Sequence, residues 1–505
     1  MQLHRLNDLK QAITDTTDKP IHQCPRPSTT PHPRAIMPSP TYICPPCRRL
    51  LLTTPRLLHK RFTHTHLPAP TSPPLKSGLI NLSLPPSPAT TTTERPLPRA
   101  LISLHGPDAT KFLQAVTTID IPLLTTSSPA SAYSGFLNAQ GRLLWEGFVY
   151  NVNGSKVWRE RIGEVSIGAG GGRGKWGVDD PCWFVETSGG GAEGLRKWLG
   201  RYVLRSKVSI TPVPTVWMAG GIGWDVWVAW GAGEKLLSEG VVNFESIPRT
   251  NDNRAPGLFT RYLIPTRAPS DIDIPEGGGS GATLSDYHLR RYLHGIAESP
   301  LELTPPERSL PHEYNLDLYP PPHGLSFHKG CYVGQELTVR TQHRGVVRKR
   351  VIPVQLSPLL PSIPAHHGGI VYDPTAKFQL PPPEAEIVSC HSQVHEGGGG
   401  RARSAGRFIA GIGNVGIALV RLWVILGICI QENSETPVLS LKFIDIPPSY
   451  TYMISFTTPH QVLLHSIYSP LHSILSPSQT KQNIATIQMI TYNNRKSQTQ
   501  QSTPR

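Results

Sequence analysis

The residues best suited to chemistry in this chain lie in the stretch 329–336, which reads Lys-Gly-Cys-Tyr-Val-Gly-Gln-Glu. A cysteine thiol acts as a nucleophile or a metal ligand only as the thiolate, and a nearby cation lowers its pKa. Lys329 offers that cation, because it lies two positions before Cys331. Glycines at 330 and 334 allow the backbone a positive φ or a close approach to a ligand. The pattern predicts a reactive or metal-binding thiol at Cys331.

The residues that follow predict the element that positions this cysteine. Glu336 and Arg340 are four apart, which is the spacing of an ion pair on one face of a helix. We therefore expect Cys331 in a glycine-rich loop that leads into the start of a helix. The alternative is a buried and chemically inert cysteine in a tight turn.

The eight residues 329–336 resemble the signature of the folate-binding, aminomethyltransferase-like family (GcvT/YgfZ type). The resemblance is closer to the branch that serves iron–sulfur cluster assembly in mitochondria, known in fungi as transferase CAF. An eight-residue match is more specific than a pair of glycines. The resemblance covers roughly residues 98–422. Further stretches that fit it are Gly106–Ala109, Phe112–Gln114, Phe136–Arg142, Arg205–Val208 and Asp252–Leu258.

The resemblance implies an α+β fold with a central cavity. Ferredoxin-like halves of sheet and helix surround the cavity within residues 98–345, and a small C-terminal β-barrel follows at 346–422. Relatives hold tetrahydrofolate in the cavity, and a pterin needs an aromatic wall with a few convergent polar groups. The residues expected to bind this cofactor are Tyr332, Gly334, Gln335, Glu336, Arg340, Asn138 and Arg142.

The same resemblance implies a factor of the mitochondrial matrix that matures [4Fe–4S] proteins of the aconitase and lipoate-synthase type. Cys331 and Lys329 would be its catalytic residues. One cysteine cannot complete a cluster site, which needs about four ligands. We therefore expect Cys331 to be a transient ligand of an iron–sulfur cluster shared with a partner. The expected partners are A-type iron–sulfur carriers and apo [4Fe–4S] proteins.

Other functions stay open at this point. A folate-dependent aminomethyl or methyl transferase would use the same fold, although glycine-cleavage enzymes of the family lack the cysteine signature. A cysteine hydrolase would need a base within hydrogen-bond reach, such as His328 or His343. Glu313 and Asp317 could be a general acid and base pair or solvated loop carboxylates. Whether the chain turns over any substrate is likewise open.

Hydrophobic periodicity and turn residues predict the elements around the signature. The predicted strands are 101–104, 132–137, 143–150, a pair within 216–230, and 346–356; the predicted helices are 109–116, 195–199 and 284–293. Residues 138–141 have hairpin chemistry, and Asp108 is placed to cap the first helix. Tryptophans at 217, 224, 227 and 230 could line a ligand site, but packing in the core is the commoner use of such residues.

The ends of the chain have the composition of segments without a packed core. The 505 residues include 52 Pro and 45 Gly, and only 38% are hydrophobic. Residues 19–93 contain no Asp or Glu, and their Arg- and Leu-rich part, 37–62, is typical of a mitochondrial transit peptide. We expect disorder at 1–36, a linker at 63–97, and a disordered or mis-predicted tail at 423–505.

Charge and cysteine usage argue against several classes of protein. The net charge is +14, but residues 1–93 hold eleven Lys/Arg against three Asp/Glu, so most of the excess lies in one arm. The middle of the chain has no basic stripe interleaved with aromatic residues, and we expect no nucleic-acid partner. Seven scattered cysteines form no disulfide framework and fit a reducing compartment. The apolar stretch 408–430 contains Arg421, which argues against a membrane span.

Overall fold

The computed structural model falls into two units, 1–62 and 63–505, and every described residue lies in the second unit. The predicted disordered start and transit peptide lie outside the described residues. The structure describes residues 69–70, 73–83, 98–125, 131–153, 176–177, 179–215, 223–241, 244, 247–266, 282–298, 300–303, 308–358, 370–376, 380–389, 404–422, 438–439, 441–443 and 452–455.

The described residues form three antiparallel sheets with helices packed against them, which confirms the α+β class. The strands are β1 Gly78–Asn81, β2 Arg99–His105, β3 Ser131–Leu137, β4 Leu143–Asn151, β5 Cys182–Ser188, β6 Ser209–Val213, β7 Gly223–Trp230, β8 Arg249–Asn251, β9 Thr260–Thr266, β10 Lys349–Pro358, β11 Glu386–Ser389, β12 Ser404–Ile412, β13 Val415–Arg421, β14 Val438–Leu439, β15 Leu441–Phe443 and β16 Tyr452–Ser455. The helices are α1 Ala109–Val116, α2 Gly189–Gly200, α3 Gly233–Gly240, α4 Leu284–Leu293 and α5 Gln335–Arg344, with 3₁₀ helices at Ile121–Leu124 and Pro311–Tyr314. Within this part of the chain, none of the helices combines the length and apolar character needed to cross a membrane.

The first sheet carries α1 and α2 on one face. Its strand order is β3-β4-β5-β2-β6, and the second sheet has the order β1-β7-β9-β8. The buried residues of α1, Ala109, Phe112, Leu113 and Val116, recur at the spacing of one helix face. They pack with α2 against the residues that β2 and β5 direct to that side. The other side of the first sheet shares a larger core with the second sheet and α4.

Most of the predicted elements near this core are confirmed. The bounds of α1 and α4 are those predicted; β2 is three residues longer than the predicted strand, and β3 and β4 are each one residue longer. α2 is longer than the predicted 195–199, because it begins at Gly189. The region 216–230 holds β7 within the described residues, where a pair of strands was expected. Trp224, Trp227 and Trp230 are buried in the core, as expected; Trp217 lies outside the described residues.

Asp108 does not cap α1 in the predicted way. It occupies the N-cap position, but its side chain makes no capping hydrogen bond. Its Oδ2 instead accepts a hydrogen bond from the Lys207 backbone N–H at 2.7 Å. The carboxylate therefore joins the start of α1 to the segment that enters β6.

The predicted linker 63–97 is wrong for the residues around β1. This strand pairs with β7 along its whole length. Leu79 and Leu82 are completely buried, and the Arg99 N–H donates to the Leu82 carbonyl oxygen at 3.1 Å. Because β1 covers an edge of β7 that would otherwise expose unpaired backbone groups, the folded part begins well before residue 98.

The C-terminal sheet is larger than the predicted barrel at 346–422. Its seven strands have the order β14-β16-β10-β13-β12-β11-β15. β16 pairs with β10 at Gln355–Pro358, so the prediction of a structureless tail at 423–505 is wrong for its strands. The edge strands β14 and β15 are one residue apart in the chain, which places the two edges within about 7 Å and curves the sheet strongly. Among the described residues the hydrogen-bonded strands do not close into a barrel.

The centre of the larger core is polar, and the sequence did not predict this. Buried ion pairs join four arginines and five carboxylates, namely Arg99, Arg254, Arg261, Arg291, Glu146, Glu186, Asp252, Glu298 and Glu302. Glu298 links the sheets to α4, since it pairs with Arg254 at 2.9 Å and with Arg291 at 3.5 Å. Burial raises the pKa of Glu298, but the arginines around it outweigh that effect and hold the pKa well below its usual range. The charges stabilise one another in a setting where an unpaired charge would be costly.

Candidate functional site

Lys329 fixes the signature loop, residues 329–334, to the rest of the fold. Its Nζ donates to the carbonyl oxygens of Gln114 and Thr117 at 2.7 Å each and of Ile119 at 2.6 Å. These carbonyls lie at or just beyond the C-terminal end of α1. Backbone oxygens there lack partners within the helix, and this is the negative end of the helix dipole. An ammonium has three N–H donors, so all three are used.

Burial and an aromatic ring complete the environment of this ammonium. Its Nζ lies 4.9 Å from the centroid of the Tyr332 ring, within the range of a cation–π interaction. Burial lowers the pKa of Lys329 to about 7, whereas the three carbonyl acceptors favour its charged form. No N–H of Lys329 is left for the Cys331 thiol. The geometry thus gives Lys329 an anchoring role, and its effect on the thiol stays a prediction.

Gly334 holds the other end of the loop against the β3–β4 hairpin. Its φ is 80°, a left-handed conformation that disfavours side chains. A Cβ on Gly334 would lie 2.4 Å from the Asn138 carbonyl oxygen, and a Cβ on Gly141 would lie 2.7 Å from the Gly334 oxygen. The two backbones therefore touch directly. Gly141 belongs to the predicted hairpin but was not a predicted site residue.

Gly330 differs from Gly334, because the structure gives no steric reason for a glycine there. A Cβ at position 330 would have no neighbour within 4 Å, and its φ lies outside the left-handed region. The expectation of a special backbone at both glycines is therefore confirmed at Gly334 alone.

The residues between the cysteine and α5 close a compact turn. The Tyr332 N–H donates to Gln335 Oε1 at 3.0 Å, and the Tyr332 hydroxyl lies 2.8 Å from Thr338 Oγ1. The Val333 N–H donates to the Ala115 carbonyl oxygen at 2.9 Å, a second contact with α1. Tyr332 is buried by these contacts. Its partner Thr338 lies one helical turn inside α5 and was missed because a single threonine carries no pattern in the sequence.

Cys331 projects from this fixed loop as an exposed free thiol. The prediction of a glycine-containing loop before a helix is confirmed, since α5 begins four residues later. The alternative of a buried cysteine is wrong for Cys331; it describes Cys182, where burial raises the pKa of the thiol. In the described part of the chain, no three His, Cys, Asp or Glu side chains come together as a metal site.

The remaining predicted residues lie close by in the fold but have different roles. Asn138 closes the hairpin, because its Oδ1 accepts from the Arg142 N–H at 2.8 Å. The Arg142 guanidinium donates to the Arg308 carbonyl oxygen at 3.3 Å. Glu336 and Arg340 are exposed on α5. The ion pair expected from their spacing is absent from the bridges formed by described residues.

The acid and base candidates have structural partners of their own. Asp317 accepts two hydrogen bonds of 2.8 Å from the buried guanidinium of Arg350. Glu313 accepts from the Leu310 N–H at 3.3 Å, and burial raises the pKa of its carboxyl group. Neither carboxylate is thus a freely solvated loop residue. Within the described structure, no hydrogen bond joins Cys331 to an imidazole.

The chain is similar over most of its length to proteins described as mitochondrial iron–sulfur cluster assembly factor IBA57 homologues. It is 35% identical over 401 residues to the one from Neosartorya fischeri. The matched region covers 75% of this chain and 79% of the relative. The one from Aspergillus fumigatus is 34% identical over 397 residues, with the same coverage. The one from Coccidioides immitis is 36% identical over 356 residues, covering 70% of this chain and 76% of the relative. No protein-family model matches the chain.

Among solved structures, the chain is similar to the glycine cleavage system aminomethyltransferase T from Bartonella henselae. The TM-score is 0.45 and the sequence identity is 12%. The aligned region covers 77% of this chain and 87% of that protein.

Replacing Gly334 tests the contact between the loop and the hairpin. We expect Gly334→Ala to lower the free energy of unfolding by about 2 kcal/mol or more, because alanine is strained at this φ and its Cβ would overlap Asn138. Gly330→Ala is the matched control and should change that free energy by less than about 0.5 kcal/mol. Urea unfolding measures both variants. Equal losses in the two would contradict the docked loop.

Replacing Lys329 separates anchoring from tuning of the thiol. We expect Lys329→Met to lower the free energy of unfolding by about 3 kcal/mol, because three carbonyl groups lose a charged donor. The exposed Lys111 of α1 gives the control, Lys111→Met, which should be within about 0.5 kcal/mol of the parent. The rate of Cys331 alkylation in the folded variant, read by peptide mapping, tests the second role. Slower alkylation without a loss of stability would show that Lys329 acts on the thiol instead of anchoring the loop.

Proposed function

The chain belongs to the family of mitochondrial iron–sulfur cluster assembly factors, and from this premise we propose that Cys331 is a transient cluster ligand in the maturation of [4Fe–4S] proteins in the mitochondrial matrix. The observation that carries the proposal is the exposed thiol on a loop held at both ends. The cluster is cargo here, because the chain holds it only on the way to a recipient.

The chemistry of a thiolate suits this task. Cysteine thiolates are the usual ligands of iron in clusters, since soft sulfur donors favour such sites. Lys329 and Gly334 fix the backbone on either side of Cys331, so cluster binding need not order the loop and loses little free energy to that ordering. The neighbouring His328 and Gly330 are exposed as well, which leaves room for a large inorganic group.

A partner must supply the other ligands. Because a cluster needs about four protein ligands, Cys331 would complete a set that an A-type iron–sulfur carrier mostly provides. Transfer then requires only ligand exchange: cysteine thiolates of the apo recipient bind the iron as the Cys331 thiolate and the ligands of the carrier leave in turn. The recipients we propose are apo [4Fe–4S] proteins of the aconitase and lipoate-synthase type. A single bond from this chain keeps release easy.

The residues predicted to hold tetrahydrofolate do not form an open site. The Tyr332 ring faces Lys329 and its hydroxyl is bound to Thr338. Asn138 and Gln335 each use a side-chain oxygen to accept from a backbone N–H. An aromatic wall for a pterin is therefore missing from this set.

Two aromatic rings near the centre of the fold are covered by cations as well. The guanidinium of Arg254 lies 4.5 Å from the centroid of the Tyr133 ring, and that of Arg261 lies 4.3 Å from the centroid of the Phe148 ring. These cations occupy faces on which a pterin would stack. We derive no step through tetrahydrofolate, and no observation favours the aminomethyl or methyl transferase over cluster assembly.

The proposal predicts that Cys331→Ser folds normally and fails in function. Serine keeps the size and polarity of the side chain but loses the soft ligand atom. In a strain lacking the gene, the variant should leave aconitase and lipoate-dependent activities at the level of the deletion. Its melting temperature should match that of the parent, because the side chain is exposed.

Cys182 supplies the control. Cys182→Ala should lower stability by about 1 kcal/mol, because it leaves a small cavity in the core, yet it should support both activities. Full restoration of the activities by Cys331→Ser would end the proposal.

A further inference from the structure

The helix that follows the cysteine loop, α5, buries few of its residues. Of the ten residues of α5, Thr338 is the one buried residue. The inner side is short: Leu337 approaches Gly141, and Thr338 meets Tyr332. Most of the stability of a helix in a protein comes from packing one apolar face. Packing within the described fold therefore gives no structural role to the outer side of α5.

The outer side of α5 and the residues just beyond its end carry exposed cations and exposed valines. Arg340, Arg344 and Arg348 are exposed at intervals of four residues, and none takes part in an ion pair with a described residue. Like charges four apart weaken a helix by a few tenths of a kcal/mol. Val339 of α5 and Val346, two residues beyond its end, are 38% and 55% exposed. This mixture suits a surface that is acidic and partly apolar.

The position of α5 ties this surface to the thiol. The Gln335 N–H donates to the Tyr332 carbonyl oxygen at 3.3 Å, so the chain turns tightly between Cys331 and the helix. A stable protein partner covers about 800 Å² on each side, which is a disc of about 16 Å radius. α5 is about 15 Å long. A partner centred on Cys331 would therefore cover much of the helix.

We propose that the outer side of α5, with Arg348 beyond its end, is the docking surface for an acidic, partly apolar face of the protein that brings the cluster. This inference rests on the proposed function, because the ligand role of Cys331 defines the partner. Exposed rim charges mainly raise the association rate and do so less at high salt. The valines favour a protein over a nucleic acid, whose phosphate backbone offers no apolar surface.

Charge reversal on the full-length chain tests the surface. The probe is a purified A-type carrier, and the variant is Arg340→Glu with Arg344→Glu. We expect its affinity for the carrier to fall by about tenfold or more, with a flatter dependence on salt than that of the parent. The parent should bind more weakly as salt rises. Circular dichroism and melting confirm that the variant is folded.

The matched control is Arg201→Glu with Arg205→Glu. These arginines are also exposed, four apart and without an ion pair to a described residue. They lie close in the chain to Lys207, whose backbone N–H is hydrogen-bonded to Asp108 at the start of α1. The contacts of Lys329 are at the other end of that helix. The control should bind the carrier like the parent.

The results distinguish this surface from the ligand role of the thiol. Cys331→Ser should still dock the apo carrier while failing to hold a cluster with it. Parent-like binding by the α5 variant, or an equal loss in the control, would overturn the docking surface even if Cys331→Ser is inactive. Binding of a single-stranded RNA by the parent, lost in the α5 variant while carrier binding persists, would also overturn it.

Discussion

The arrangement of the site depends on one interaction, the Lys329 ammonium bound to three carbonyl oxygens at the end of α1. The helix itself has no donors left for such oxygens. When Lys329 donates to them, the loop lies on the first sheet, where Gly334 contacts the hairpin. Cys331 lies between these two fixed points and has no contact of this kind. The thiol is thus exposed on a loop that is held at both ends, which suits the cluster ligand that we propose.

The buried ion pairs supply a second constraint, which acts on the whole fold. Arg99 of β2 meets Glu298, 199 positions later in the chain, through a carboxylate that also binds Arg254 and Arg291. Removing one member of such a set leaves a buried charge unpaired, at a cost of about 3–5 kcal/mol. The network therefore favours one mutual placement of the sheets and α4. It also places the guanidinium groups of Arg254 and Arg261 over the rings of Tyr133 and Phe148.

Local patterns in the sequence were enough to predict α1, α4, β2–β4 and the cysteine loop, because the spacing of apolar residues and the turn residues determine such elements. They could not give the partners of Lys329, since those carbonyls belong to residues more than 200 positions away and any residue type could provide them. β1 was taken for a linker because its four residues gain strand character only by pairing with β7. The strands β14–β16 were missed for the same reason. Charged residues such as Arg261 and Glu186 show no periodicity that reveals a buried pair.

X-ray absorption at the iron edge tests most directly whether the sulfur of Cys331 binds iron. The sample is the complex of the full chain with a cluster-loaded A-type carrier, in which selenocysteine replaces Cys331 alone. If the account is right, selenium appears among the nearest neighbours of iron, at a level consistent with one of about four protein ligands. An intact cluster in the complex with only sulfur around its iron would contradict the account.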